Sequence, residues 1–274
     1  MTSFKLKIIA LVTMFIDHMG AVVPEAFGFA PVGVNLFRVI GRVSFPIFVY
    51  LIAEGFRHTK SPAKFLIRLG IFALISEIPF DMAINGNVNF FANTNIFYTL
   101  FFGGAAIESY RRTRAFLLRK MGLSATVETT PAHSQLYHNS RDFPSTKGWN
   151  ERVGVILSSV VAIFPVPLFM LLAEDLTADY GALGVAFIFA MYAIKPICPR
   201  LVVMAFFCIL LGSTTIEWLL IVPIAYIPPL ELAILPATLI PVMLTAFYNG
   251  ERGIKIKWLF YIVYPVHLFI LAMI

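Results

Sequence analysis

Charge is scarce in this chain. Only 13% of its 274 residues are Asp, Glu, Lys or Arg, where a soluble domain carries about 25%. So little charge excludes an ordinary water-soluble globule, which could not cover its surface. Cysteine is scarcer still. Cys198 and Cys208 are the two present, without CxxC or metal-ligand spacing, so neither a disulfide framework nor a thiolate metal site is expected. Also missing are an internal repeat, a glycine-rich nucleotide loop, a metal-ligand cluster and a Ser-His-Asp constellation. The first apolar stretch, Ile8 to Val23, has no small-x-small cleavage site and contains Asp17 and His18; a cleaved signal peptide is not expected.

Apolar surface is what the chain has in excess. Hydrophobic residues make up 59% of it, and its mean hydropathy is +0.84. Within a bilayer each segment must pair its own backbone polar groups, so long apolar runs without alternation read as helices. At roughly 20 residues per crossing, the expected fold is all-α: a polytopic transmembrane helical bundle of about 8–10 spans. The whole of 1–274 forms a single membrane domain. The expected spans are 5–24, 35–55, 65–84, 95–110, 153–173, 180–195, 200–213, 214–227, 229–248 and 258–274. The stretch 200–248 is the least regular. Gly212-Ser213-Thr214 and Pro228-Pro229 interrupt it, and such short pieces can be buried or re-entrant rather than spanning.

Loop charge gives an orientation. Lys5 and Lys7 precede the first span, Arg57, Lys60 and Lys64 follow the second, and Arg111, Arg112, Arg114, Arg119 and Lys120 follow the fourth. Lys195 and Arg200 follow the sixth, while the intervening loops near Glu25, Asn85 to Asn93 and Glu174-Asp175 hold no lysine or arginine. The formal charge of +6 is therefore a positive-inside signal and not a nucleic-acid footprint. A multi-pass protein of a bacterial cytoplasmic membrane, with its N-terminus in the cytoplasm, is expected. The basic loop Arg252, Lys255 and Lys257 falls outside if there are ten spans, and inside if 200–248 crosses only twice. Residues 111–152 are the long polar segment, expected as a largely mobile cytoplasmic loop. Its start, Arg114 to Leu123, has the composition of a short amphipathic helix for the anionic inner leaflet.

Charges inside spans cost several kcal/mol unless paired or hydrated, so each is a candidate functional residue. The first span holds Asp17-His18. The second holds Arg38 and Arg42, four apart and on one face, and ends in Glu54-Gly55-Phe56-Arg57-His58. The third holds Arg68, Glu77 and Asp81, and the last holds Tyr261, Tyr264 and His267. Structural readings stand beside these. Arg42 can neutralise Glu77 or Asp81 across two spans, Glu54, Arg57, His58, Arg68 and Asp81 can snorkel from membrane edges, and the tyrosines can form an interface belt. His18 has the one intramembrane group of ordinary pKa near neutrality in its span. Neighbouring helix positions point about 100° apart, so a partner from another span is expected to orient it, not Asp17.

In order along the chain, several stretches resemble the TraX family of membrane proteins linked to N-acetylation of F-type pilin. They are Leu6-Lys7-Ile8-Ile9-Ala10-Leu11 with Ile16-Asp17-His18-Met19-Gly20, Arg38-Val39-Ile40-Gly41-Arg42 with Phe45-Pro46, and Glu54-Gly55-Phe56-Arg57-His58-Thr59. Ser76-Glu77-Ile78-Pro79-Phe80-Asp81, Asn95-Ile96-Phe97-Tyr98-Thr99-Leu100 and Asp179-Tyr180-Gly181-Ala182 follow. Tyr248-Asn249-Gly250-Glu251-Arg252-Gly253 and Phe260-Tyr261-Ile262-Val263-Tyr264-Pro265-Val266-His267-Leu268 complete the set, and the insert 121–152 matches nothing in it. A wider similarity, to type-3 membrane acyltransferases, rests on His18, the stretch Phe45 to Val49 and Gly55-Phe56. Lys7-Ile8 stands where that group has arginine-glycine.

The resemblance implies acetyl transfer from acetyl-CoA, as co-substrate and without a metal, to a membrane-bound protein, glycan or lipid acceptor such as a pilin N-terminus. His18, Asp17 and His267 would be catalytic, with His18 as general base or as carrier of the acetyl group. Arg38, Arg42, Tyr261 and Tyr264 would bind the donor or the oxyanion, and Glu54, Glu77 and Asp81 would be structural ion-pair partners. Membrane lipids are expected partners and nucleic acid is not. Two other classes compete: an ion-coupled transporter with Glu77, Asp81 and His18 as proton relay, and a non-enzymatic scaffold for pilus or envelope assembly. The orientation is testable in a Cys198→Ser, Cys208→Ser background. With an impermeant maleimide on intact cells, Leu176→Cys should label and Gln135→Cys should not; the reverse pattern refutes it.

Overall fold

A computed structural model of the chain describes residues 1–23, 31–89, 93–123, 149–211, 229–254, 256 and 258–274. Among them the regular structure is all-helical, with one isolated parallel bridge between Thr94 and Ala178. The helices are α1 (Ser3–Val22), α2 (Pro31–Gly41), α3 (Ser44–His58), α4 (Pro62–Phe80) with a π-helical turn (Asp81–Asn85), and α5 (Ile96–Lys120). After these come α6 (Trp149–Ala162), α7 (Val166–Asp175), α8 (Gly181–Ala193), α9 (Ile197–Leu211), α10 (Pro229–Ala246) and α11 (Leu259–Leu271). The expected span 214–227 and the part 124–148 of the expected polar loop lie outside the described residues.

Proline sets the breaks. Pro46 has no N–H for the Arg42 carbonyl and its ring crowds that oxygen, so the rod formed by α2 and α3 breaks at Arg42-Val43. Pro165 and Pro167 do the same between α6 and α7, where Phe164 and Val166 fall back on i→i−3 bonds at 3.1 and 2.8 Å. Among the described residues, the stretches Leu36–His58 and Glu151–Asp175, of 23 and 25 residues, are the two long and apolar enough to cross a membrane. The helices Gly181–Ala193, Ile197–Leu211, Ala237–Ala246 and Leu259–Leu271 are apolar but shorter.

Successive rods run between two ends of one bundle. At the first end, Ser3 N–H and Phe4 N–H donate to Glu251 O and Arg252 O at 2.8 and 3.1 Å, and Asn249 N–H donates to Met1 O at 2.9 Å. At the opposite end, Thr94 N–H donates to Thr177 O at 3.2 Å and Asp179 N–H returns to Thr94 O at 3.0 Å. Arg200 meets Glu54 near the end of α3, and Arg252 lies beside the N-terminus. Arg252 therefore shares the end of Lys5 and Lys7.

Two expectations change here. Arg114 to Leu123 does not begin a separate surface helix, because α5 runs unbroken to Lys120 and Arg114 is buried, its Nε donating to Ser159 at 3.0 Å. Glu108, with Arg111 and Arg112 three and four residues on at 3.3 and 2.8 Å, carries the helix past its apolar run. Likewise, Glu54 is no snorkelling edge charge. It is 6% exposed, pairs with Arg57 at 2.6 Å and with Arg200 at 2.5 Å, and Arg200 also donates to Tyr50 Oη at 3.1 Å. Arg57 Nη2 in turn reaches Met191 O, Tyr192 O and Ile194 O at 2.8–2.9 Å, satisfying carbonyls that α8 leaves unpaired at its C-terminus.

Glu77 and Asp81 are not ion-paired among the described residues. Asn95 Nδ2 and N–H donate to Glu77, at 2.5 and 3.2 Å. Asn85 Nδ2 and Asn89 N–H donate to Asp81, at 2.8 and 2.7 Å. Amides and not a guanidinium contact both acids, Glu77 Oε1 keeping no hydrogen-bond partner among the described residues, so the expected pairing with Arg42 is absent. Removing Glu54 is the sharpest test of this framework, since two buried guanidinium groups lose their counter-charge. Glu54→Ala should cost about 3–5 kcal/mol, read as a large drop in thermal unfolding temperature of the purified protein; an unchanged temperature would make the network dispensable.

Candidate active site

A cavity of about 620 Å³ lies inside the bundle, within the size range of small-molecule sites. At the N-terminal end of the bundle, taken below as its mouth, Lys7, His58, Lys60, Arg68 and Arg252 line it. Apolar walls from Phe48, Leu69, Phe97, Leu100 and Phe260 lead inward to Asp17, His18, Asp179, Tyr180 and Tyr264. From Lys7 to His18 along α1 is a rise of about 16 Å. The mouth cations Lys7, Lys60, Arg68 and Arg252 take part in none of the ion pairs seen among the described residues.

The helices α1 and α11 start together, with Lys7 Nζ 4.9 Å from the Phe260 ring centre. They bring together two histidines that lie 249 residues apart in the chain: His18 Nδ1 and His267 Nε2 are 2.6 Å apart, their rings 16° from parallel. His267 Nδ1 lies 2.8 Å from Val263 O. A carbonyl only accepts, so His267 carries its proton on Nδ1 and its Nε2 is the acceptor. His18 must then donate from Nδ1, which leaves His18 Nε2 with a free lone pair. His18 lines the cavity, and His267, 5% exposed, stands behind it. The side chains form a one-way relay from the Val263 carbonyl to a base on the cavity wall.

Asp17 is held elsewhere. Arg38 Nη1 donates to Asp17 Oδ2 at 2.8 Å, a contact made possible by Gly41, where a Cβ would come within 2.1 Å of Asp17 Oδ1. Arg38 and Arg42 do not line the cavity. Arg42 borders a small void with Phe45, Pro46, Tyr180 and Cys208. Tyr264 packs edge-on to His18 with ring centres 6.0 Å apart, and both it and Tyr261 line the cavity.

Asp179 enters from the loop between α7 and α8. On either side of it, Thr177 and Tyr180 have φ of 47° and 65°, a left-handed conformation that costs non-glycine residues energy. The strain is held by the Asp179 N–H bond to Thr94 O, by Thr99 Oγ1 donating to Asp179 O, and by Tyr180 stacked on Phe45 at 3.7 Å. Asp179 lines the cavity and is exposed there. Enclosure pushes this carboxyl up to about 6, with repulsion from Asp17 adding to the shift and Arg38 and Arg42 opposing it.

Against this geometry, similarity to known proteins is informative. The family profile of the TraX protein matches residues 3–129 and 148–274. This chain belongs to the TraX family. A probable fimbrial assembly protein of Dichelobacter nodosus (FimC, serogroup H1) is 24% identical over 284 residues, covering 99% of this chain and 94% of that protein. No solved structure matches significantly. The gap in the TraX match falls inside the polar segment 111–152.

Of the residues singled out from sequence, Asp17, His18, Glu54, Tyr261 and Tyr264 line the cavity and His267 meets His18, while Arg38, Arg42, Glu77 and Asp81 do not line it. Sequence reasoning misses Asp179, whose signal was the Asp179-Tyr180-Gly181-Ala182 stretch, read only as part of the family pattern. It also places donor-binding arginines at Arg38 and Arg42, at the far end from the basic mouth.

Proposed function

We propose that this TraX protein is an acetyl-CoA-dependent acetyltransferase embedded in the bacterial cytoplasmic membrane, acting on a pilin N-terminus or another envelope amine or hydroxyl. The observation that carries the reading is the His18–His267 relay, which ends in a free Nε2 on a cavity whose other end is basic. Membrane embedding is supported by the apolar outer face of α6 and α7, where Ile156, Val160, Phe164, Leu168 and Leu171 are exposed; 17% of that 25-residue stretch is buried. The N-terminal end, with Lys7, Lys60, Arg68 and Arg252 at the mouth, then faces the cytoplasm and its acetyl-CoA. The CoA phosphates meet these cations, and the thioester arm extends along the apolar channel to His18.

His18 Nε2 takes one proton from the acceptor, while Val263 O and His267 hold the ring in the tautomer that can do so. The acceptor atom attacks the thioester carbon and the C=O pair moves to oxygen, where the Tyr264 hydroxyl is placed to donate. Collapse breaks the C–S bond, and the departing thiolate takes the proton from His18. Charge balances: an ammonium acceptor and acetyl-CoA give an amide, CoA thiol and one proton. The transporter reading has less support, because neither Glu77 nor Asp81 lines the cavity with His18. A scaffold reading draws on the assembly role in the relative's name, without using the relay.

The test is acetyl transfer from labelled acetyl-CoA by purified protein in lipid nanodiscs, with mass spectrometry of membrane proteins and glycolipids for a gain of one acetyl group. His18→Gln should fold normally and lose about 100- to 10,000-fold in rate. A folded His18→Gln protein with wild-type turnover removes His18 from the chemistry, and a wild-type protein without acetyl transfer leaves the scaffold reading standing.

A further inference from the structure

We infer that Asp179 is the residue that grips the acceptor as a cation, making the inner end of the cavity selective for an ammonium over a hydroxyl. This rests on the acetyl-transfer reading above and assigns a specificity-determining role within that site. Three carboxylates line the cavity: Asp17, Glu54 and Asp179. Two of them are already neutralised, Asp17 by Arg38 at 2.8 Å and Glu54 by Arg57 and Arg200 at 2.6 and 2.5 Å. Asp179 has no cation within ion-pair distance among the described residues. Arg38 and Arg42 act on it only through space. Its exposed carboxylate keeps acceptor positions open to whatever occupies the cavity. Here the open side faces the cavity into which His18 also projects.

Proton counting decides which donor fits. His18 Nε2 and Asp179 are both acceptors, one neutral and one anionic. An alcohol brings a single O–H and can satisfy only one of them. An ammonium brings three N–H groups: one goes to His18, one forms a charge-assisted bond to Asp179, and its positive charge balances the carboxylate. As the C–N bond forms, His18 takes the first proton and later passes it to the CoA thiolate. Asp179 accepts the second as the nitrogen becomes an amide, and releases it to water in the cavity. The left-handed residues on either side of Asp179 and its backbone bonds to Thr94 and Thr99 hold that segment, so the negative charge stands at a fixed point of the cavity.

The test compares two small amines of similar shape in excess over labelled acetyl-CoA: ethylamine, cationic at neutral pH, and trifluoroethylamine, neutral there. Asp179→Asn should lose about 10- to 100-fold in kcat/KM for ethylamine, mainly through KM, and stay within about 2-fold of wild type for trifluoroethylamine. Asp179→Glu, which keeps the charge, should recover part of the ethylamine rate. Thermal stability and acetyl-CoA binding, measured in parallel, should be retained in both variants. Equal losses on the two amines, or no loss on either, overturn the assignment while leaving acetyl transfer intact. A wild-type protein that acetylates neither amine overturns the acetyl-transfer reading itself, and the assignment with it.

Discussion

A hydrogen bond between two imidazoles, 2.6 Å long and closed on one side by the Val263 carbonyl, sets the chemistry available to this protein. Because a carbonyl cannot donate, the protons of both rings point the same way along the chain. The free lone pair must then appear on His18, on the cavity side. Much of the surrounding structure serves that geometry. Leu6, Ala10, Val43, Ile47 and Leu51 pack α1 against α3, and Gly41 lets α2 close on Asp17. Tyr264, on the same helix as His267, turns its hydroxyl toward the same space.

The bundle handles its buried charges by giving each a separate solution. Glu54 is bound by two arginines, one of which also caps α8, so an ion-pair network doubles as the joint between α3, α8 and α9. Glu77 and Asp81 are held by amides around the π-helical turn, and Asp17 is held by Arg38. Among the residues that line the cavity, Lys7, Lys60, Arg68 and Arg252 at one end and Asp179 at the other take part in no ion pair seen among the described residues. That separation gives the cavity a polarity, cationic at one end and anionic at the other, with His18 nearer the second.

Much of this was legible in the sequence where a residue violated its surroundings. A histidine and an aspartate in an apolar helix announced themselves, and alternating loop charge foreshadowed the alternation of ends in the bundle. What was hidden has a common cause: periodicity shows which residues share a face but not what that face meets. Arg42 and Glu77 have compatible charges on neighbouring spans, yet Asn95 reaches Glu77 first from the start of α5. His267 sits 249 residues from His18, and no local pattern links them. Asp179 was passed over because an acidic residue between two apolar runs reads as a hydrated loop. Here the left-handed Thr177 and Tyr180 fold that loop into the bundle instead. The end of α5 was missed for the opposite reason, since ion pairs at helical spacing extended it beyond the point where hydrophobicity stopped.

A double-mutant cycle on the two histidines addresses the relay most directly. Acetyl transfer would be measured for wild type, His18→Gln, His267→Gln and the pair, with folding verified for each. If His267 acts only by orienting His18, its removal should slow the wild type but add nothing once His18 is gone, so the double variant should match His18→Gln. Losses that multiply independently, or a His267→Gln protein as active as wild type, would contradict the relay.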